Sequence, residues 1–175
     1  MKDLEKPQEI SIHCEYLQPW STFVLKVQMP LSCVDMLIEI TDEILERNET
    51  SERFGDQLAG EIEDEFIISP KYFKDSKKYE NILTFINQTS SFYLTNQLCQ
   101  SNPFKKDVYL NQEWVFKIQS MWTVSQKDNE YNPLHGHGGG RLSAVTWLKI
   151  PEYLPDRKNR KNRSDGAITF VGNAQ

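Results

Sequence analysis

The chain has few of the residues that staple or interrupt a fold. Its three cysteines, Cys14, Cys33 and Cys99, are odd in number, far apart and free of any Cys-x-x-Cys spacing. No disulfide framework is readable from them, and three buried or idle thiols are expected. Eight glycines and eight prolines among 175 residues exclude collagen-like and low-complexity classes. No apolar run approaches the ~18–20 residues that a bilayer-crossing helix needs. Nor does an apolar stretch follow Met1-Lys2-Asp3-Leu4-Glu5-Lys6-Pro7, so no secretory leader is visible. A Walker loop, a Gly-x-Gly-x-x-Gly turn and a Gly-x-Ser-x-Gly elbow are all missing, which leaves kinase, Rossmann and hydrolase readings without support. Histidine is scarce too, at three residues.

What the chain does have is bulk for a core. Nine Phe, seven Tyr and four Trp accompany a length that suits a single domain, 1–175, burying roughly two-thirds of its unfolded surface. The net charge of −5 conceals an asymmetry, because residues 1–70 sum to −11 and residues 71–175 to +6. So acidic a chain is a poor general nucleic-acid binder. The run Arg157-Lys158-Asn159-Arg160-Lys161-Asn162-Arg163 lacks interleaved aromatics and reads as a solvated loop. The acidic run Glu61 to Glu65 is read as solvated surface in the same way. The expected setting is the cytoplasm, with no membrane partner.

Residues 1–10 read as a frayed polar tail. Thr22 to Met29 alternates β-branched and aromatic residues up to Pro30 and predicts a strand. Ser32 and Asp35 resemble a capping box, and Val34, Leu37, Ile38, Thr41, Ile44 and Leu45 then recur at helical spacing, predicting a helix from about Cys33 to Arg47. Phe54 to Glu65 is ambiguous, since Leu58, Ile62 and Phe66 suit a helix that Gly55 and Gly60 weaken. A second helix is predicted after Asp75 or Ser76, reaching to near Cys99 and stopping before Asn102-Pro103. Strands are predicted at Trp114–Val124, Leu142–Ile150 and Ala167–Val171. Helices and a first strand over 1–105 thus precede a strand-rich part over 106–175. This order predicts an α+β or mainly β fold with about four good strands, fewer than the roughly seven or eight of a finished sandwich.

Two of the three histidines sit at Leu134-His135-Gly136-His137-Gly138. In a strand, residues i and i+2 share a face with side chains ~6–7 Å apart, which lets two imidazoles converge on one ion. Nitrogen ligation suits Fe, Zn, Cu or Ni, and the flanking glycines leave room for an open coordination position. The same residues also fit a flexible turn.

The segments Met121-Trp122-Thr123, Tyr131-Asn132-Pro133-Leu134-His135-Gly136-His137 and Leu142-Ser143-Ala144-Val145-Thr146-Trp147-Leu148-Lys149-Ile150-Pro151 resemble the 2-oxoglutarate/Fe(II) oxygenases of marine bacteria and their phages, related to the prolyl-hydroxylase branch. Asp165 to Phe170 resembles that family's next strand, so the likeness spans about residues 112–173. It implies a double-stranded β-helix (jelly roll) with N-terminal helices packed on one sheet. It further implies Fe(II) and 2-oxoglutarate as cofactors, with ascorbate as an accessory, and hydroxylation of a substrate that the sequence does not name, a protein side chain or a small molecule. His135 and His137 would be metal ligands. Tyr131 would line the cofactor pocket, or pack at a strand edge. His137 stands where the wider superfamily has an acid, which removes one negative charge from the site.

No histidine follows His137 to serve as the family's distal ligand, and His13 is out of order for that role. The chain is therefore expected to be the N-terminal portion of a longer jelly roll, lacking its last strands. Arg141 can bind a carboxylate bidentately or stand exposed. Trp122 and Trp147 are expected to fill the core, and Asn132 to cap a turn before Pro133 or orient an imidazole. Two alternatives accompany this expectation. One is a cupin-like metalloprotein, which would want a Glu near Arg141; the other is a non-catalytic, phage-associated jelly-roll module.

Overall fold

In the computed structural model, residues 14–17, 23–74, 79–137 and 142–151 are described, together with positions 168 and 170. Strand β1 (Cys14–Leu17) pairs antiparallel with β2 (Val24–Val27) in the register Cys14↔Val27 to Leu17↔Val24. The strand predicted before Pro30 is thus present. Helix α1 follows at Leu31–Arg47, two residues ahead of the predicted start. Pro30 occupies the N-cap, and its carbonyl accepts the N–H groups of Cys33 and Val34 at 2.9 and 3.1 Å. No side chain caps this end, so the Ser32–Asp35 capping box does not form. At the other end Asn48 adopts φ 45° and donates its N–H to the Ile44 carbonyl at 3.0 Å, stopping the helix where predicted.

Cys33, Leu37, Ile40, Thr41 and Ile44 form the buried stripe of α1. Thr41 is tolerated there because its hydroxyl donates to the Ile38 carbonyl at 3.0 Å. The ambiguous stretch 54–65 is neither helix nor plain loop. It contains a 3-10 turn at Gly55–Gln57, after another at Thr50–Glu52, and ends in strand β3 (Asp64–Ile67). This strand pairs antiparallel with β4 (Trp122–Ser125), Asp64 opposite Ser125 and Ile67 opposite Trp122. On its other edge β3 meets Arg53 and Phe54, with the Phe54 N–H donating to the Glu65 carbonyl at 2.8 Å.

Helices α2 (Lys71–Lys74), α3 (Glu80–Ser101) and α4 (Lys106–Leu110) complete the regular elements among the described residues. The start predicted for the second helix, Asp75 or Ser76, lies outside those residues. Its end matches, because Pro103 pushes Asn102 out of the helical region, to φ −143° and ψ 81°. The core gathers Cys33, Leu37, Ile40 and Ile44 of α1 with Phe66 of β3, the adjoining Ile68, and Ile82 and Phe85 of α3. Alternation along β3 directs Phe66 into this core and Glu65 to the opposite face.

Two strand expectations change, and a third lies mostly outside the described residues. Of Trp114–Val124, only Trp122 onward joins a ladder, continued on one side by the Ile68 N–H donating to the Met121 carbonyl at 2.8 Å. Leu142–Ile150 forms no strand among the described residues. Its β-like composition meets no paired edge there; Leu148 packs against the core and Lys149 Nζ contacts both Asp42 carboxylate oxygens at 2.5 and 2.7 Å instead. Ala167–Val171 lies outside the described residues except for Ile168 and Phe170, both exposed. The described residues hold two two-stranded antiparallel sheets and helices, without a closed barrel. Residues 1–10 and the basic run 157–163 lie outside them.

Candidate functional site

The segment that carries the histidines leaves β4 through a tight turn. Asn129 sits at φ 69°, a left-handed conformation that asparagine tolerates better than most side chains. Glu130 locks the turn, since its carboxylate accepts the N–H of Lys127 at 2.6 Å and that of Glu63 at 3.1 Å. The chain is then held against the 58–63 loop, where the Glu61 N–H donates to the Tyr131 carbonyl at 3.0 Å.

His135 and His137 come together at the end of this segment. Their ring centroids are 4.9 Å apart at an interplanar angle of 72°, and both residues are exposed. The segment is not a strand, so the pleat invoked from sequence is not what pairs them. Local contacts do so. His135 Nδ1 lies 2.8 Å from the Pro133 carbonyl. A carbonyl only accepts, so Nδ1 carries a proton and Nε2 is the ring nitrogen left to meet a metal, the arrangement a metal-binding imidazole uses. His137 rests against Trp122 at 6.5 Å between ring centroids, and Trp122 in turn leans on Phe54 at 5.7 Å. At Gly136 an added Cβ would meet nothing within 4 Å, so space adjoins the pair.

The other sequence candidates fare unevenly. Tyr131 is held through its backbone, while its side chain is about half exposed, at 51%. Arg141 and His13 lie outside the described residues. Asn132 aims its amide at Gly60, where an added Cβ would collide with Oδ1. Trp122 is not a member of the core cluster but a support for His137, and Trp147 is half exposed, so neither fills the core as expected. Cys14, Cys33 and Cys99 are free thiols, and burial pushes the Cys33 thiol pKa up. Among the described residues no group of three or more His, Cys, Asp or Glu side chains is placed to hold a metal ion. An open groove of about 540 Å³ runs beside α3 near Phe92 and Trp114, and none of the candidate residues lines it.

One residue of chemical interest was hidden in the acidic run. Glu61 and Glu63 are exposed as expected, but Glu65 is 1% exposed, and neither of its carboxylate oxygens has a hydrogen-bond partner among the described residues. Burial pushes its carboxyl pKa above the ordinary range, and the nearby Glu130 carboxylate adds to the rise. The signal available in the sequence was the pair Gly55 and Gly60, whose bare backbones close over this side chain.

Comparison of the chain with protein-family models, with curated proteins and with solved structures gave no match. No helix among the described residues is long and apolar enough to cross a membrane.

Proposed function

We propose that Tyr131–His137 supplies the first ligands of a transition-metal centre of the Fe(II)/2-oxoglutarate oxygenase kind, in a jelly-roll domain whose product is a hydroxylated substrate. The observation that supports this most directly is the convergence of His135 and His137, with the Pro133 carbonyl orienting one ring and Trp122 supporting the other. The donor set fits a borderline metal, because two imidazoles with adjoining space match nitrogen ligation and an accessible coordination position.

Fe(II) with 2-oxoglutarate, when bound, supplies oxidative decarboxylation coupled to hydroxylation of a C–H bond. The chain's own part is to hold and shield. His135 offers Nε2 while its Nδ1–H donates to the Pro133 carbonyl, and Trp122 limits the rotation of His137. Tyr131 and Arg141 are the proposed contacts for the 2-oxoglutarate carboxylates. A second reading, a non-catalytic jelly-roll module, is favoured by the lack of a third donor grouped with the histidines among the described residues.

The test uses metal-stripped chain titrated with Co(II), whose visible absorption reports nitrogen ligation. His135→Ala and His137→Ala should each weaken binding at least tenfold, on the order of 1.4 kcal/mol. Succinate release with Fe(II), 2-oxoglutarate and ascorbate then separates the readings, since metal binding without turnover supports the module. Equal Co(II) affinity in wild type and both variants would overturn the metal centre itself.

A further inference from the structure

Glu65 presents a problem that nothing in the chain's own described chemistry resolves. Its carboxylate is buried, and both oxygens lack partners among the described residues. Two cationic side chains at the edges of β3 are engaged elsewhere. Arg53 donates to the Glu63 carbonyl at 3.1 Å and to Asn48 Oδ1 at 2.9 Å, while Lys127 pairs with Asp64 at 2.9 Å and Glu63 at 3.3 Å. Glu130 makes the local field more negative. A buried unpaired carboxylate is costly unless a cation or a proton joins it.

The surroundings favour a cation. At Gly55, the position a Cβ would take is 3.2 Å from Glu65 Oε2 and 3.6 Å from the Ile62 carbonyl oxygen. At Gly60, the corresponding position is 3.4 Å from Glu65 Oε1 and in overlap with Asn132 Oδ1. Two bare glycines thus flank the carboxylate, and the other polar atoms among their nearest neighbours are oxygens from an amide and a backbone carbonyl. Carboxylate, amide and carbonyl oxygens are the donor types of hard divalent cations, with water completing the shell.

The geometry points to a hard divalent-cation site, of the Ca²⁺ or Mg²⁺ class, built on the buried Glu65 carboxylate with Asn132 Oδ1 and the Ile62 carbonyl as further donors. The site is separate from the two histidines and rests on nothing in the oxygenase reading. Its effect is to tie the 55–62 loop and the 131–132 segment to β3, the strand that delivers Phe66 to the core.

The 175-residue chain, stripped with EDTA, is titrated with Ca²⁺, Mg²⁺ and Tb³⁺, following thermal unfolding and Tb³⁺ luminescence sensitised through tryptophan. Trp122 lies opposite Ile67, two residues along β3 from Glu65 on the same ladder face, and is the nearest expected sensitiser. Wild type should show a raised unfolding midpoint with Ca²⁺ or Mg²⁺ and saturable luminescence. Glu65→Gln, which keeps the size and removes the charge, should bind Tb³⁺ at least tenfold more weakly, and Asn132→Ala at least threefold more weakly. His135→Ala/His137→Ala should retain the wild-type response. Unchanged binding in both Glu65→Gln and Asn132→Ala, or no response of wild type to any of the three ions, would overturn the proposal and leave Glu65 as a protonated buried acid. Loss of the response in the double-histidine variant would overturn its separateness.

Discussion

At Glu65 the balance between desolvation and charge can be measured directly. In the absence of divalent cations, Glu65→Gln should stabilise the fold at neutral pH by about 1–3 kcal/mol, because an unpartnered buried charge costs more than the neutral amide that replaces it, as read by urea denaturation. The folded-state pKa is raised by burial and by Glu130. The protonated carboxyl is therefore favoured in the folded chain, and wild-type stability falls as pH rises from the unfolded carboxylate value towards the folded one. The advantage of the Gln variant should accordingly disappear in acid, below the ordinary glutamate range, and be complete above the raised value. Glu52 is the opposite case. It is buried too, but Arg47 and Lys71 both reach it, the latter at 3.3 Å. Arg47→Ala should cost about 1–3 kcal/mol by leaving Glu52 short of partners. Arg47→Ala/Glu52→Ala should recover part of that loss, which a double-mutant cycle resolves.

Among the elements, α1 carries the clearest packing test. Ile44 is fully buried at 0% exposure, and Leu31, in the same helix, is 76% exposed. Ile44→Ala should lose about 2–5 kcal/mol of unfolding free energy, while Leu31→Ala should stay within about 0.5 kcal/mol. The same helix shows why sequence periodicity went most of the way here. Leu37, Thr41 and Ile44 were assigned to the apolar stripe and are buried; Ile40 and Cys33 belong to it as well, and Val34 and Ile38 only flank it. Period 3.6 establishes that a helix has an inner face, but the exact rotation of that face depends on β3 and α3, which meet it from two directions. The strand β3 escaped notice for a related reason. Its residues Asp64-Glu65-Phe66-Ile67 place acids and apolar groups on each face, so no alternation marks it. Only the neighbours Arg53-Phe54 and β4 make the segment a strand.

Across the whole molecule, distant segments are held by a few contacts. Tyr93 of α3 donates its hydroxyl to the Phe23 carbonyl at 2.8 Å, joining the second helix to the approach of β2. Tyr93→Phe should cost about 1 kcal/mol, and amide exchange should quicken around β2 more than in α1. Beyond the histidines, Leu148 and the Lys149–Asp42 pair anchor residues 142–151 onto α1 and the core. Leu148→Ala should therefore raise exchange or protease cleavage within 142–151 while leaving the unfolding midpoint of the helical core largely in place. Added salt should weaken the exposed Lys149–Asp42 contact and act in the same direction. If the two histidines require that anchor to stay together, Co(II) affinity should fall in the same variant.

Local chemistry alone determined the two long helices, the strand before Pro30 and the proximity of His135 to His137, because each depends on residues a few positions apart. Tertiary structure decided the remainder. It turned Glu65 inward from an acidic run, put Asn132 against Gly60, drew Trp122 out of the core to support His137, and left Leu142–Ile150 without a strand partner among the described residues. Burial and ladder pairing are properties of what lies across from a residue, and the residue across is set by the path of the whole chain.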